Sequence, residues 1–86
     1  MNYLIKNYFY KLKNEDIVKF ALENDIVISM EEANYIYNII KDNIDDLLSG
    51  NESEILKDIS NKIGKEKGEK AIKLFYEYKE KYKDYL

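Results

Sequence analysis

The chain has 86 residues, of which 45% are hydrophobic and 36% are charged, and its formal net charge is −3. It contains no cysteine, histidine, tryptophan, proline or arginine, and all 14 basic residues are lysines. This composition fits one small domain and excludes a disulfide framework, a thiolate zinc site and any chemistry that depends on histidine. The lack of arginine also removes the bidentate group that recognises phosphates and base edges.

Charge is distributed unevenly along the sequence. Residues 1–13 carry three lysines and no acid, residues 14–56 carry a net charge of −9, and residues 57–86 carry +3. An acidic middle between basic ends suits a partner surface. The alternative, which we favour, is that these segments face one another within one fold or are simply solvated.

The spacing of apolar residues by three and four, with three glycines and no proline, predicts a single all-α domain of four or five short helices. The first helix is expected over residues 3–12. A second helix is expected over residues 15–23, with Asn14 as its N-cap and Asn24 as the left-handed residue that ends it. An extended link over residues 25–28 follows. The apolar stripe of the first helix consists of Leu4, Ile5, Tyr8, Phe9 and Leu12.

Ser29 and Glu32 have the spacing of a capping box, which predicts the start of a third helix. This helix either continues to Leu48 or breaks near Asn43, and the sequence leaves both alternatives open. Ser49 and the glycine after it end the helix in either case. Its inward-facing residues are expected to be Ala33, Ile36, Tyr37 and Ile40, continued by Ile44 and Leu47.

Asn51 and Glu54 repeat the capping pattern and predict a fourth helix over residues 52–63, with Gly64 at its C-terminal end. Its apolar face is formed by Ile55, Leu56, Ile59 and Ile63. A last helix is expected over residues 66–85. Its stripe consists of Ala71, Phe75, Tyr78, Tyr82 and Tyr85.

The need for core residues should fade along the last helix, because the rest of a small bundle reaches only part of its length. We therefore expect Phe75 and Tyr78 to lie in the core, packed on the first helix. Tyr82 and Tyr85 should be exposed or should contact a partner chain. The residues expected to meet the core part of the last helix are Ile5, Phe9 and Leu12.

Carboxylates and serines are the candidate groups for catalysis or metal binding in this chain. The acidic run is a candidate for Ca²⁺ or Mg²⁺, but its spacing does not fit an EF-hand loop, so we expect no metal ion and no cofactor. A serine nucleophile would need a buried lysine as its base, and every lysine here lies on a predicted polar face. We therefore predict no catalytic residue and no enzymatic activity. The acidic run consists of Asp42, Asp45, Asp46, Glu52 and Glu54.

The nine tyrosines are the main indication of a binding surface. Tyrosine is enriched at protein interfaces because it has an apolar ring and a polar tip. We therefore predict a non-enzymatic interaction domain, an adaptor or a homo-oligomer, whose partner is a protein or a second copy of the chain. The predicted partner-binding surface consists of Tyr3, Tyr10, Tyr76, Tyr82 and Tyr85.

The alternative function is association with nucleic acid. Residues 15–42 form a predicted helix, link and helix, and this plan resembles the helix-extended-helix modules of the SAP and Rho N-terminal types. Such modules place basic side chains on the nucleic acid, whereas this stretch is acidic, so the main source of affinity is missing. We therefore do not expect a nucleic acid partner. We also expect a cytoplasmic protein, because the N-terminal residues lack the apolar core of a signal peptide and no apolar run spans a membrane.

Residues 15–75 resemble the YqfT-like family, short bacterial proteins of unknown function. The segments that carry the resemblance are residues 16–21, Asn24 to Ser29, residues 55–59 and Lys73-Leu74-Phe75. The chain departs from the family at Gly64-Lys65, where a hydroxyl cap followed by proline is expected. The resemblance implies a compact helical domain and assigns no activity or functional residue.

Overall fold

The structure is a computed structural model that describes the backbone of residues 3–81 and the side chains of residues 6–81. Within that range the chain forms helices and no strand, which confirms the all-α prediction. The helices number six rather than the expected four or five. They are α1 (Tyr3–Tyr10), α2 (Asn14–Glu23), α3 (Met30–Asp42), α4 (Ile44–Leu48), α5 (Ser53–Ile63) and α6 (Lys65–Lys81).

The additional helix arises from a break at Asn43, one of the two alternatives that the sequence left open. The Asn43 side-chain amide donates a hydrogen bond of 2.7 Å to the carbonyl oxygen of Ile39. Asparagine side chains that bond to the preceding turn in this way compete with the backbone hydrogen bonds of the helix. The chain therefore interrupts α3 and starts again as the short α4.

The starts of the helices follow the predicted capping only in part. The Ser29 hydroxyl accepts a hydrogen bond of 3.0 Å from the Glu32 amide, and the Glu32 carboxylate accepts one of 2.9 Å from the Ser29 amide, which confirms the capping box. Asn14, in contrast, is the first residue of α2 and not its N-cap. The Asp16 carboxylate reaches back instead to the backbone amide of Lys13, at 2.8 Å.

Two other cap predictions fail in part or in full, since Asn24 is the C-cap of α2 but does not take the predicted left-handed conformation. Asp25 takes the left-handed conformation after α2, with φ of 64°, while the Asn24 side chain donates a hydrogen bond of 2.9 Å to the Phe20 carbonyl. Asn51 is not the cap of α5, because Glu52 occupies the N-cap position. Helix α2 thus ends at Glu23, as predicted, whereas α5 starts at Ser53, one residue later than predicted.

The core lies where α2, α3 and α5 meet, and α6 packs around it. The predicted apolar face of α5 is buried, as predicted. Ile26 and Ile28 are also buried, although they belong to the extended link, because alternate residues of an extended segment point to opposite sides. The buried cluster consists of Ala21, Ile26, Ile28, Ala33, Leu47, Ile55, Ile59 and Ile63.

Helices α5 and α6 pack against each other in antiparallel orientation and are joined by Gly64 alone, whose φ of 97° favours glycine. Their closest approach is at Ser60 and Gly68. A Cβ atom added to Gly68 would lie 2.6 Å from the Ser60 Cβ and 2.8 Å from the Ser60 Cα. Gly68 is therefore the residue that lets the two helix backbones come this close.

Helix α6 packs chiefly on α5 and not, as predicted, on the first helix. The side chain of Ile5, part of the predicted contact, lies outside the described residues. The first helix instead rests on α3, where the Phe9 and Tyr37 rings stack with their centroids 4.8 Å apart. Phe75 is half-buried against the core. Tyr78 and Tyr8, both expected in the core, are exposed, Tyr8 by 70%. Among the described residues, no further layer of helices covers the outer edges of these two apolar stripes.

Candidate functional site

The predicted tyrosine surface is described at two of its five positions. Tyr10 and Tyr76 are both exposed, on α1 and α6 respectively. The side chain of Tyr3 and the whole of Tyr82 and Tyr85 lie outside the described residues, so their part in the surface stays a prediction. Each of the two described tyrosines has its own set of neighbours.

Tyr10 lies where α1 meets α3. Its backbone carbonyl accepts a hydrogen bond of 3.2 Å from the Tyr37 hydroxyl, and its ring meets the edge of the Phe9 ring at 6.3 Å between centroids. Because Phe9 also stacks on Tyr37, these three residues fix α1 to α3 through backbone and ring contacts. The outer side of the Tyr10 ring is left in contact with solvent.

Tyr76 belongs to a polar cluster that ties α6 to the start of α5. Its hydroxyl donates a hydrogen bond of 3.3 Å to one oxygen of Glu52, and the Lys79 ammonium donates one of 2.7 Å to the other oxygen. The bond from Lys79 lowers the pKa of the Glu52 carboxyl below its ordinary value. Lys79 also lies 6.0 Å from the centre of the Tyr76 ring, within cation–π distance.

A groove of about 310 Å³ runs between α5 and α6 beside Tyr76. It combines apolar, hydroxyl and charged side chains and opens widely to solvent, so it does not enclose a small molecule. Its lining residues are Ser53, Leu56, Lys57, Ser60, Asn61, Ile72 and Tyr76.

A second aromatic surface, which the sequence did not predict, lies between α2 and α6. The Phe20 and Tyr78 rings meet edge to face with centroids 5.5 Å apart, and they are exposed by 42% and 37%. The Lys81 ammonium lies 5.7 Å from the centre of the Tyr78 ring. Phe20 falls beside the inward-facing residues of its helix, and only the packing of α6 shows that it remains at the surface.

A third group of exposed apolar side chains, all aliphatic, lies at the end of α2, in the link and at the start of α3. Leu22 is exposed by 60% and Val27 by 66%, and Met30 is exposed as well. The alternation that buries Ile26 and Ile28 is the reason why Val27 points outward. The sequence predicts only an extended link here and no exposed surface.

The basic ends and the acidic middle of the chain face each other in the fold. In the described part of the chain, ion pairs cross between them: Lys6 pairs with Asp45, Lys67 with Glu32 at 3.6 Å, and Lys79 with Glu52 at 2.7 Å. In each pair the lysine comes from a basic end and the acid from residues 14–56. This is the arrangement that we favoured over a charged partner surface.

Two of the remaining candidates for chemistry, Ser29 and Asp45, stabilise the fold. The Ser29 hydroxyl is occupied as a helix cap, and the backbone amide of Ser29 is the main cause of the lowered pKa of Glu32. Asp45, part of the acidic run, pairs with Lys6. Among the described residues no group of three or more carboxylates is placed to hold a metal ion.

Comparisons of the chain with protein-family models, with curated proteins and with solved structures found no match. The resemblance to the YqfT-like family therefore stays a prediction. None of the helices in the described part of the chain has the length and apolar character needed to cross a membrane.

Proposed function

We propose that this chain is a non-enzymatic helical interaction domain that binds protein through exposed apolar side chains. The observation that carries this proposal is the Phe20–Tyr78 pair, two large aromatic side chains from different helices that contact each other at the surface. Exposed aromatic side chains are typical anchors of protein interfaces, since their burial by a partner removes a large apolar area from water.

The ion pairs favour a protein partner over nucleic acid. Lysines from both basic ends are engaged with acids of the same chain, at Lys6, Lys67 and Lys79. Affinity for nucleic acid comes largely from lysines and arginines that neutralise phosphates. Lysines already paired within the fold would have to break those pairs before they contacted a phosphate.

Photo-crosslinking in the native cell tests the proposal. Benzoylphenylalanine placed at position 20 should crosslink to protein, because this side chain lies beside Tyr78 on the proposed surface. The same group at the exposed position of Asn38 serves as the control. Mass spectrometry of the adducts then identifies the partner.

Three results would contradict the proposal. The first is the absence of any adduct at position 20, and the second is an equal yield at position 38. Adducts with RNA or DNA at position 20 would favour the nucleic-acid alternative instead.

A further inference from the structure

The aliphatic side chains at the turn between α2 and α3 form one patch. The hydrogen bond of 3.2 Å from the Asn14 amide to the Asn34 side-chain oxygen fixes the register of the two antiparallel helices. One turn further on, this register places residue 18 of α2 opposite Met30, and it places Leu22 beside the link that contains Val27. Leu22, Val27 and Met30 are therefore exposed at the same end of the α2–α3 pair, and we call them the turn patch.

A single exposed aliphatic residue needs no explanation, but three at one end of a small domain indicate a contact surface. Acidic side chains lie next to the turn patch in the sequence, and one lysine reaches it from α6, where the Lys70 ammonium donates a hydrogen bond of 3.2 Å to the Asp25 carbonyl. Glu23, Asp25 and Glu31 are all exposed in the same segment. A complementary partner must therefore offer apolar side chains with basic side chains beside them.

Helix α1 and the turn that follows it have this combination of side chains. Tyr8 of α1 is exposed by 70%, and Lys11, three residues later in the turn, is also exposed. Tyr10 and Lys13 add a second exposed aromatic ring and a second exposed lysine. Residues 1–13 contain no acid, so nothing in this segment repels the acidic side chains around the turn patch.

Within one copy of the chain, α1 is held away from the turn patch. The Tyr37 hydroxyl binds the Tyr10 carbonyl, and Tyr37 lies seven residues after Met30 along α3. At about 1.5 Å per residue this is a separation of roughly 10 Å along the helix axis. The turn patch and α1 thus lie at different ends of the α2–α3 pair.

We propose that two copies of this chain associate, with α1 of each copy seated on the turn patch of the other. A two-fold arrangement with the copies antiparallel makes this contact twice, once for each α1, as in other symmetric dimers. The inference rests on the proposed function and names a second copy as one protein partner. At the centre of this interface Tyr8 of one copy contacts Leu22 and Val27 of the other. At its edge, Lys11 and Lys13 lie opposite the acidic side chains next to the turn patch.

A charge exchange tests the pairing. The first variant carries Lys11→Glu and Lys13→Glu, and the second carries Glu23→Lys and Glu31→Lys. Each variant alone places like charges in both contacts, so its self-association should weaken by about tenfold or more, the factor for roughly 1.4 kcal/mol. In an equal mixture each α1 meets a turn patch of opposite charge, and association should return to within about threefold of the unmodified chain.

Sedimentation equilibrium at low salt measures these affinities, and circular dichroism checks that each variant remains folded. Leu22→Ser should also weaken association, whereas the control Asn38→Ser, at an exposed position of α3 outside the turn patch, should leave it unchanged. Two results would overturn the inference, namely an unmodified chain that stays monomeric up to millimolar concentration and a mixture that associates no better than its components. The crosslinking at position 20 is independent of both, so it still tests the proposed function.

Discussion

Replacing Gly68 by alanine tests the close packing of α5 and α6. At an exposed helical position this change stabilises a protein by about 1 kcal/mol, because glycine is the weaker helix former. Here the new methyl group would lie 2.6 Å from the Ser60 Cβ and 2.8 Å from the Ser60 Cα. Rotation of the serine hydroxyl leaves both atoms in place, and carbon atoms pack at about 3.5–4.0 Å, so the helices must separate by roughly 1 Å.

That separation weakens the packing along the whole interface between α5 and α6. A gap of 0.5–1 Å forfeits about a quarter to a half of the dispersion energy of the affected contacts, and overpacking costs about 1–3 kcal/mol. We therefore expect Gly68→Ala to destabilise the chain by about 2 kcal/mol despite the gain in helix propensity. In a domain of this size the melting temperature should fall by roughly 8–16 °C.

Urea denaturation followed by circular dichroism measures this loss. Ser60→Gly removes the Oγ and Cβ atoms of Ser60 and leaves only its Cα near the new methyl group. The double variant Ser60→Gly/Gly68→Ala should therefore be more stable, by about 1 kcal/mol, than the sum of the two single changes predicts. Lys73→Ala, at an exposed position of the same helix, is the control and should change stability by less than about 0.5 kcal/mol. If Gly68→Ala raised the stability, the two helices would not be in the contact described.

Four other expectations concern stability. Ile59→Ala should cost about 2–5 kcal/mol in urea denaturation, as buried aliphatic truncations do, and a cost below 1 kcal/mol would place Ile59 outside the core. Ser29→Ala should cost about 1 kcal/mol through loss of the cap, and a melting curve identical to that of the unmodified chain would refute this. The pKa of Glu32 in the folded chain lies below its ordinary 4.5. The contribution of its carboxylate to the free energy of unfolding is therefore complete above pH 4.5 and is lost as the pH falls through the folded pKa. Glu32→Gln should therefore flatten the acid side of the stability profile, and an unchanged slope in acid titration would count against it. Millimolar Ca²⁺ or Mg²⁺ should leave the melting temperature unchanged, whereas a rise of several degrees that Asp45→Asn abolishes would reveal a metal site.

Local signals in the sequence predicted the elements that depend on local interactions. The capping box of Ser29 and Glu32 needs only residues three apart, and it forms as predicted. The apolar face of α5 is equally reliable, because a helix with one narrow apolar stripe has only one face to bury. Gly64 likewise takes the positive φ that suits the end of a helix.

Which part of a wide apolar stripe is buried depends on neighbours that the stripe does not reveal. Tyr8 and Phe9 are adjacent members of one stripe, yet Phe9 stacks on Tyr37 while Tyr8 faces solvent. Phe20 and Tyr78 meet only because α6 passes beside α2, a matter of tertiary packing. The aromatic content thus indicated a binding surface, but the position of that surface could be found only from the arrangement of the helices.

The single-residue connection at Gly64 also has a consequence for how the chain folds. Ser60 and Gly68, which meet at the closest helix contact, are only eight residues apart in sequence. Contacts this local need little loop closure and are the ones that form fastest. We expect α5 and α6 to assemble first and to retain the slowest-exchanging amides. Helix α1 is held by contacts to residues far along the sequence, so it should be the first helix to detach as the fold opens.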